Sequence, residues 1–446
     1  MTRSTPSDER IRDPADDLLL EPVRGLRGSV SVPGDKSISH RALIFGALTE
    51  GTTRIENLSP GDDVQSTARC LTALGVPVRR EEDRTLVEGA GARSLSEPGN
   101  VLDAGNSGTT IRLLAGVLSG QPFFSVLTGD ESLRKRPMSR VVTPLLAMGA
   151  SIWARGGGRY APLAIRGASL SPIRYAAPVP SAQVKTAILL AALPLKGEVS
   201  VTEPTRSRDH TERMLRYLGA DLAVEGTTVR LRGTGGQPLA ARAFPVPGDP
   251  SSAAFLVVAA LVTPDSDLHI RGVCANPTRT GYLGILQRMG ARLEWEHVRE
   301  EAGEPVGDLR VHTSRLQATE IRPEEIPAAI DEVPVLCIAA ALADGVTRIT
   351  GAAELRVKES DRIAAMAENL EAMGVPVQQQ PDGLEIRGRA RIPVFHGSSW
   401  GDHRVALSLM VAAMAAEGPC RVSGASCVSV SFPDFLARLT PLIEAR

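Results

Sequence analysis

A chain of 446 residues, 43% hydrophobic and 23% charged, is long enough for two or three cores and needs no disulfide framework to fold. Its 50 Lys and Arg against 51 Asp and Glu give a formal net charge of -1, which removes the basic footprint of a duplex nucleic-acid binder. With only 3 Trp, 4 Tyr and 8 Phe, a base-stacking platform is also excluded.

The first residues mix Arg3, Arg10 and Arg12 with Asp8, Glu9, Asp13, Asp16 and Asp17 and carry no apolar stretch. They match neither a secretory signal nor an acid-poor transit peptide, and residues 1–19 are expected to form a flexible tail. The five cysteines, Cys70, Cys274, Cys337, Cys420 and Cys427, form no C-x-x-C pair, so neither a disulfide framework nor a zinc site is expected and a reducing cytoplasm fits best. The longest wholly apolar run, 253–262, is about half of what a bilayer span needs, so no membrane association is expected.

Six strongly apolar helices are predicted in chain order: 41–48, 110–118, 184–193, 253–262, 333–342 and 405–416. Hydrophobic nearly all round, they should be buried. Small or polar residues precede each of them, in turn Gly34-Asp35-Lys36-Ser37, Gly105-Asn106-Ser107-Gly108, Ser181-Ala182-Gln183, Gly248-Asp249-Pro250-Ser251-Ser252, Ile330-Asp331-Glu332 and Gly401-Asp402-His403. Between them a second pattern, L-x-x-[LM]-G-[AV], recurs at 71–76, 145–150, 215–220, 286–291 and 370–375. Upstream of each glycine the apolar positions step by three or four, as in Val64, Ala68, Leu71 and Leu74, so each motif reads as an amphipathic helix ended by its glycine, with a strand to follow. Six units of roughly 71 residues make the chain α/β or α+β, with helices buried inside strands.

Buried helix N-termini carry unpaired N–H groups and the positive end of the backbone dipole, so several of them serving one cleft would bind an anion. Lys36, Arg41, Arg112 and Arg404 sit beside such termini, and Arg134-Lys135-Arg136, Arg206, Arg208, Arg356, Lys358 and Arg362 lie in loops. Lys36 and Arg404 occupy short polar stretches before apolar helices, where a long charged side chain needs a partner or a ligand. This pattern points to a small substrate with several phosphate or carboxylate groups. Asp331-Glu332 and the run Lys358-Glu359-Ser360-Asp361-Arg362 add carboxylates. Each of these carboxylates reads equally as a helix cap or, facing a cation-lined cleft, as a proton acceptor.

The segments 33–41 (PGDKSISHR), 105–112 (GNSGTTIR), 134–138 (RKRPM), 181–185 (SAQVK), 207–212 (SRDHTE), 330–332 (IDE), 356–362 and 401–404 (GDHR) occur in the order of the 5-enolpyruvylshikimate-3-phosphate synthase family, which the chain resembles over about 20–440. The resemblance implies transfer of the enolpyruvyl group of phosphoenolpyruvate to the 5-hydroxyl of shikimate 3-phosphate, with no metal or organic cofactor, in the route to chorismate and the aromatic amino acids. It implies a two-domain enolpyruvyl transferase fold of six βαβαββ repeats, three per domain, joined by two crossing strands and closing on the substrates. One lobe would combine 20–33 with 248–446, the other would span 34–247, and the protein would be a cytoplasmic monomer. Carried over by position, shikimate 3-phosphate would meet Lys36, Ser37, Arg41, Ser181, Ala182, Gln183, Arg208, Asp331 and Lys358. Phosphoenolpyruvate would meet Lys36, Gly108, Arg136, Gln183, Arg362 and Arg404. Asp331 would act as base on the hydroxyl, with Lys36 and Glu359 handling the proton at the methylene carbon.

Some positions depart from parts of the family. Ala182 stands where plant and enteric members have serine, and Val430 where enteric members have a lysine. Gly108 lies where tolerant members carry a methyl group that crowds glyphosate, so glyphosate sensitivity is expected. The sister transferase acting on UDP-N-acetylglucosamine has a Lys-Asn pair in place of Lys36-Ser37 and uses a loop cysteine, for which nothing between Cys70 and Cys274 is a candidate. A non-catalytic binder of phosphorylated metabolites would have no need of Asp331 and Glu359, and the charge balance disfavours an RNA-end-processing protein of related repeat architecture.

Overall fold

The structure is a computed structural model and describes residues 16–443. All six apolar helices are present, at Lys36–Leu48, Gly108–Ser119, Ala182–Ala192, Pro250–Val262, Val333–Ala341 and His403–Met414. Five of them begin two to five residues before the predicted start, so that Lys36, Ser37, Gly108, Ala182, Gln183 and Arg404 lie in first turns rather than ahead of them. The capping side chains, not the apolar runs, set these starts. Asp35 accepts from the Ile38 N–H, Ser107 from Thr110, Ser181 from Val184, Asp249 from Ser251 and Asp402 from Arg404. The helix Val333–Ala341 is the exception: Glu332 occupies the cap position without a side-chain cap bond, and Pro334 removes one of the orphan donors.

The recurring L-x-x-[LM]-G-[AV] pattern is a helix stop in atomic detail. The helices Asp62–Ala73, Ser139–Ala147, His210–Tyr217, Gly281–Arg288 and Arg362–Ala372 each run into a glycine in left-handed conformation, with φ of 86°, 98°, 86°, 90° and 67° at Gly75, Gly149, Gly219, Gly290 and Gly374. The residue after the glycine donates back to the leucine that opens the motif: Val76 to Leu71, Ala150 to Leu145, Ala220 to Leu215, Ala291 to Leu286 and Val375 to Leu370, all at 2.9–3.0 Å. Each glycine N–H in turn bonds the residue three before it. This double bond pattern needs glycine at the left-handed position and brings the flanking apolar residues together, so it accounts for every fixed letter of the motif.

The chain forms two compact units. One comprises the segment up to Val32, then Gly248–Val298, then the chain from Gly307 on; the other comprises Pro33–Pro247 and Arg299–Val306. Sequence reading had kept 299–306 within the stretch 248–446. Within the second unit, each sheet pairs a short strand in parallel with a second strand, which is followed by two antiparallel neighbours. Examples are Leu102–Asp103, Phe124–Thr128, Tyr160–Arg166 and Ser151–Ala154. Arg174–Ala176, Glu198–Thr202, Thr228–Arg232 and Leu222–Glu225 repeat that order. In the third such sheet the parallel strand, Phe244–Pro245, comes from the far end of the segment and pairs with Glu50–Glu56. In the first unit, Arg27–Ser31 likewise pairs in parallel with Asp267–Cys274, and Glu320–Ile321 with Val346–Ile349. Strand, buried helix, strand, amphipathic helix and two strands is the repeat in five of the six sheets, two of which take their parallel strand from a distant segment.

The sixth unit is shortened. It has three strands: Leu18–Leu20 runs antiparallel to Cys420–Ser423, which pairs in parallel with His396–Ser398. The expected tail over 1–19 therefore ends sooner, because Leu18 to Leu20 are a sheet edge and Asp16 accepts bonds from Ser426 N and Oγ; the remainder of that expectation, 1–15, lies outside the described residues. All five cysteines are free, and among the described residues no helix is long and apolar enough to cross a membrane.

In the first unit the three apolar helices pack on one another and on the sheets, so that residues such as Phe255, Leu256, Val335, Ile338 and Leu409 are within 2% of full burial. In the second unit the helix pair Gly108–Ser119 and Ala182–Ala192 is so close that a Cβ on Gly116 would lie 2.3 Å from the Ala187 carbonyl oxygen. Rigid central helices of this kind fix where their first turns are, and those turns carry the chemistry.

Candidate active site

In the second unit, Lys36 opens the first buried helix and pairs with Asp63 of the neighbouring amphipathic helix, Nζ to Oδ2 at 3.0 Å, both side chains mostly buried. Sequence reasoning required a partner or a ligand for Lys36, and Asp63 is that partner. Asp63 itself was missed, since a carboxylate in a first turn reads locally as a helix-dipole partner. One turn on, Arg41 is 3% exposed and donates from Nε to Thr211 Oγ1 (2.7 Å), from NH2 to Thr186 Oγ1 (2.9 Å) and from NH1 to the Ser37 carbonyl (2.9 Å). Burial lowers its pKa to about 10, opposed by Glu212 and Asp35 and furthered by Arg208, so it stays charged at neutral pH. Arg208 reaches the Ser37 hydroxyl at 3.4 Å. Ser37, Arg41 and Arg208 thus form one basic cluster.

A second group gathers at the Gly108 turn. Arg112 donates to Gln183 Oε1 (2.8 Å), and Gln183 Nε2 donates to Thr109 Oγ1 (3.0 Å), which ties the first turns of two buried helices together. Arg136 is held by Asn106, through the carbonyl at 3.2 Å and Oδ1 at 2.7 Å. A Cβ on Gly108 would lie 2.7 Å from Arg112 NH1 and 3.7 Å from Arg136 NH1, so two guanidiniums flank one small bare spot. Arg112 was noted in sequence only as a cation near a terminus; its place between Gly108 and Gln183 appears only in three dimensions. Ser181 caps the third helix, and Ala182 adds no polar side-chain atom there, only its backbone.

In the first unit, Asp331 sits among cations. Arg362 NH1 is 3.4 Å from its Oδ1, Arg404 NH2 is 3.6 Å from its Oδ2, and Arg404 NH1 donates to its carbonyl at 3.1 Å. Arg362, 1% exposed, also binds Glu359 (2.7 Å) and Asp402 (2.8 and 3.3 Å). Burial opposes its charge, but Asp402, Glu359 and Asp331 together raise its pKa further. Asp402 is desolvated, yet Arg362 draws its pKa below the usual carboxylate value. Half-buried Lys358 has its pKa lowered, first by burial, against the pull of Asp331 and Glu359 and with Arg362 adding to the lowering. Of the carboxylates that could cap a helix or face cations, Asp361 does both, accepting from the Ala364 N–H and pairing with Arg356 at 2.7 Å, whereas Asp331 and Glu359 pair with Arg362. Asp402 was missed as a site residue, although the run 401–404 contains it. Val430 ends a short 3-10 turn in this unit.

A groove of about 490 Å³ in the second unit, lined by Leu58, Gln65, Arg69, Thr72, Val78 and Arg80, contains none of these residues. The chemistry follows the helix first turns instead.

Six strand-helix repeats with basic and acidic side chains at or near helix N-termini have the fold of the enolpyruvyl transferases. A family profile described as EPSP synthase (3-phosphoshikimate 1-carboxyvinyltransferase) matches residues 20–439. The chain belongs to the EPSP synthase family. It is 54% identical over 433 residues to 3-phosphoshikimate 1-carboxyvinyltransferase of Synechococcus sp. (strain JA-3-3Ab), covering 96% of this chain and 97% of that one. To the enzyme of the same name from Geobacter sp. (strain M21) it is 50% identical, covering 96% and 100%. Among solved structures, EPSP synthase from Acinetobacter baumannii superposes with a TM-score of 0.85 at 42% identity, covering 95% of this chain and 98% of that chain. The enolpyruvyl transferase NikO from Streptomyces tendae, at 19% identity and a TM-score of 0.76, covering 96% and 97%, shares the fold.

Proposed function

We propose that the chain transfers the enolpyruvyl group of phosphoenolpyruvate to the 5-hydroxyl of shikimate 3-phosphate, releasing inorganic phosphate and 5-enolpyruvylshikimate 3-phosphate. Family membership over 20–439 supports the reaction, and the observation that carries the mechanism is the Asp331 carboxylate between Arg362 and Arg404. A carboxylate fixed between two guanidiniums is held as an anion that can accept a proton, and the same guanidiniums match a substrate carboxylate or phosphate bidentately.

In this reading shikimate 3-phosphate is held by Lys36, Ser37, Arg41, Ser181, Ala182 through its backbone, Gln183, Arg208, Asp331 and Lys358. Phosphoenolpyruvate is held by Lys36, Gly108, Arg136, Gln183, Arg362 and Arg404. Asp331 takes the proton of the 5-hydroxyl as its oxygen bonds to C2 of phosphoenolpyruvate, while Lys36 or Glu359 delivers a proton to C3 and makes it a methyl group. In the second half, a methyl proton returns to that pair, the C2–C3 double bond re-forms and the C2–O bond to phosphate breaks as the departing oxygen takes the proton held by Asp331, which restores the carboxylate. Two polyanions must be brought together against their repulsion, so positioning and charge stabilisation supply most of the rate. Arg362 is engaged by three carboxylates, and Glu359 is the one whose release from it frees both a donor for substrate and a base for the methyl proton.

The reaction is placed in the cytoplasm and assigned to a monomer; five free cysteines are in keeping with a reducing compartment. The test is phosphate release from phosphoenolpyruvate plus shikimate 3-phosphate, with Asp331→Ala and Lys36→Met as controls. Release that requires UDP-N-acetylglucosamine instead, or that survives both substitutions, overturns the reading.

A further inference from the structure

Lys185 lies in the apolar third helix, 1% exposed, where an ammonium needs strong compensation. It has two carboxylates: Glu203 Oε2 at 2.8 Å and Glu212 Oε1 at 2.7 Å, both of them at most 3% exposed. Glu203 does more than neutralise it. Its Oε1 accepts the Ser181 N–H at 2.7 Å, and its Oε2 accepts both the Ser207 hydroxyl (2.8 Å) and the Ser207 N–H (3.3 Å). One buried carboxylate therefore fastens the backbone of Ser181 and the loop residue next to Arg208. Glu212, whose pKa is raised by burial against the pull of Lys185, also acts electrostatically on Arg41, and its neighbour Thr211 accepts from Arg41 Nε. Ser181, Arg208 and Arg41 are three of the proposed contacts to shikimate 3-phosphate, and all three lead back to this cluster.

We infer that Glu203, charge-balanced by Lys185, is a positioning residue that sets the shikimate-3-phosphate half of the site without touching substrate. The inference rests on the assignment of Ser181, Arg41 and Arg208 to that substrate. Its chemistry is specific to a carboxylate. An amide at 203 offers one accepting oxygen, so it can keep Ser181 or Ser207 but not both, and its NH2 group would face the Lys185 ammonium. The residues assigned to phosphoenolpyruvate alone, Gly108, Arg136, Arg362 and Arg404, make no bond to Glu203, so the effect should fall mainly on shikimate 3-phosphate.

The test is steady-state kinetics of full-length Glu203→Gln and Ser207→Ala, with Arg208→Ala as reference and thermal melting as a check of folding. Ser207→Ala removes a single hydroxyl and leaves the Lys185 pair intact, so it keeps the question answerable if Glu203→Gln fails to fold. Glu203→Gln should raise KM for shikimate 3-phosphate about tenfold, as for loss of one hydrogen bond to a charged group, and Ser207→Ala about threefold, with KM for phosphoenolpyruvate changed by less than about twofold. A role confined to stability would lower the melting temperature and the active fraction and leave both KM values alone. Folded variants with unchanged KM for shikimate 3-phosphate, or with both KM values rising in parallel, overturn the inference while Arg208→Ala still raises that KM. An Arg208→Ala enzyme with normal KM for shikimate 3-phosphate overturns the site assignment beneath it, and the inference with it.

Discussion

Arg362 and Asp402 meet at two points, Nε to Oδ2 at 2.8 Å and NH2 to Oδ1 at 3.3 Å, while Asp402 also caps the sixth buried helix through the Arg404 N–H at 2.9 Å. One carboxylate thus sets both arginines that flank Asp331. Asp402→Asn should lower kcat/KM by about 100-fold and stability by about 3 kcal/mol, because a buried arginine loses its best partner. Since Arg362 depresses the folded-state pKa of Asp402, its contribution is fully present above the unfolded value near 3.9 and is lost as pH falls through the folded value. Urea unfolding of both proteins checks this: the gap should be flat from about pH 5 to 8 and close in acid below about pH 4.

Gly108 gives a steric prediction. An added methyl would sit 2.7 Å from Arg112 NH1, so the guanidinium must swing away, loosening its bonds to Gln183 and the Pro137 carbonyl. Gly108→Ala should raise KM for phosphoenolpyruvate about tenfold and weaken glyphosate inhibition at least as much, with the wild type inhibited well below the millimolar range. A wild type that tolerates millimolar glyphosate, or a variant with unaltered KM, would sink this account.

Local patterns carried the frame of this protein into its sequence, and long-range pairing did not appear there. The stop motif ending at Gly75 and its four counterparts is legible because a left-handed glycine and its flanking leucine lie within six residues. The first helix was recognised from its apolar run but begins five residues earlier, since Asp35 sets the start and Lys36 and Ser37 look like loop residues until the cap is seen. Lys185 sits within a segment singled out by resemblance, yet nothing local connects it to Glu203 and Glu212, which packing brings to it. Asp63 and Asp402 were passed over for the same reason. In the sixth unit the strand comes from Leu18–Leu20, hundreds of residues from its partner, and no periodicity in so short a run could have announced it.

Lys358 supplies a pH prediction. Burial lowers its pKa, so the unfolded chain holds the extra proton; the cost of the buried charge, present at neutral pH, is relieved as pH rises through the folded value toward the unfolded one near 10.4. Stability of the ligand-free protein should rise with pH over that window. An anionic substrate beside Lys358 raises its pKa again, so binding of shikimate 3-phosphate at about pH 9 should take up protons. Calorimetry in buffers of different ionisation enthalpy measures the uptake, and Lys358→Met should abolish it. Proton release on binding would contradict the assignment.

Lys36 and Asp63 form an ion pair at 3.0 Å, and the proposed proton transfer at C3 runs through Lys36 or Glu359. If Lys36 is the working acid and Asp63 only aims it, then Lys36→Met should lower kcat by about 10²–10⁴, the usual worth of general acid–base catalysis, and Asp63→Asn by about tenfold. The double substitution decides between aiming and independent action. With Lys36 gone, Asp63 has nothing left to aim, so the double variant should be no slower than Lys36→Met alone, a coupling that cancels the whole effect of Asp63→Asn. Strict additivity of the two effects would mean that Asp63 serves substrate directly, and a fast Lys36→Met enzyme would hand the C3 proton to Glu359 alone.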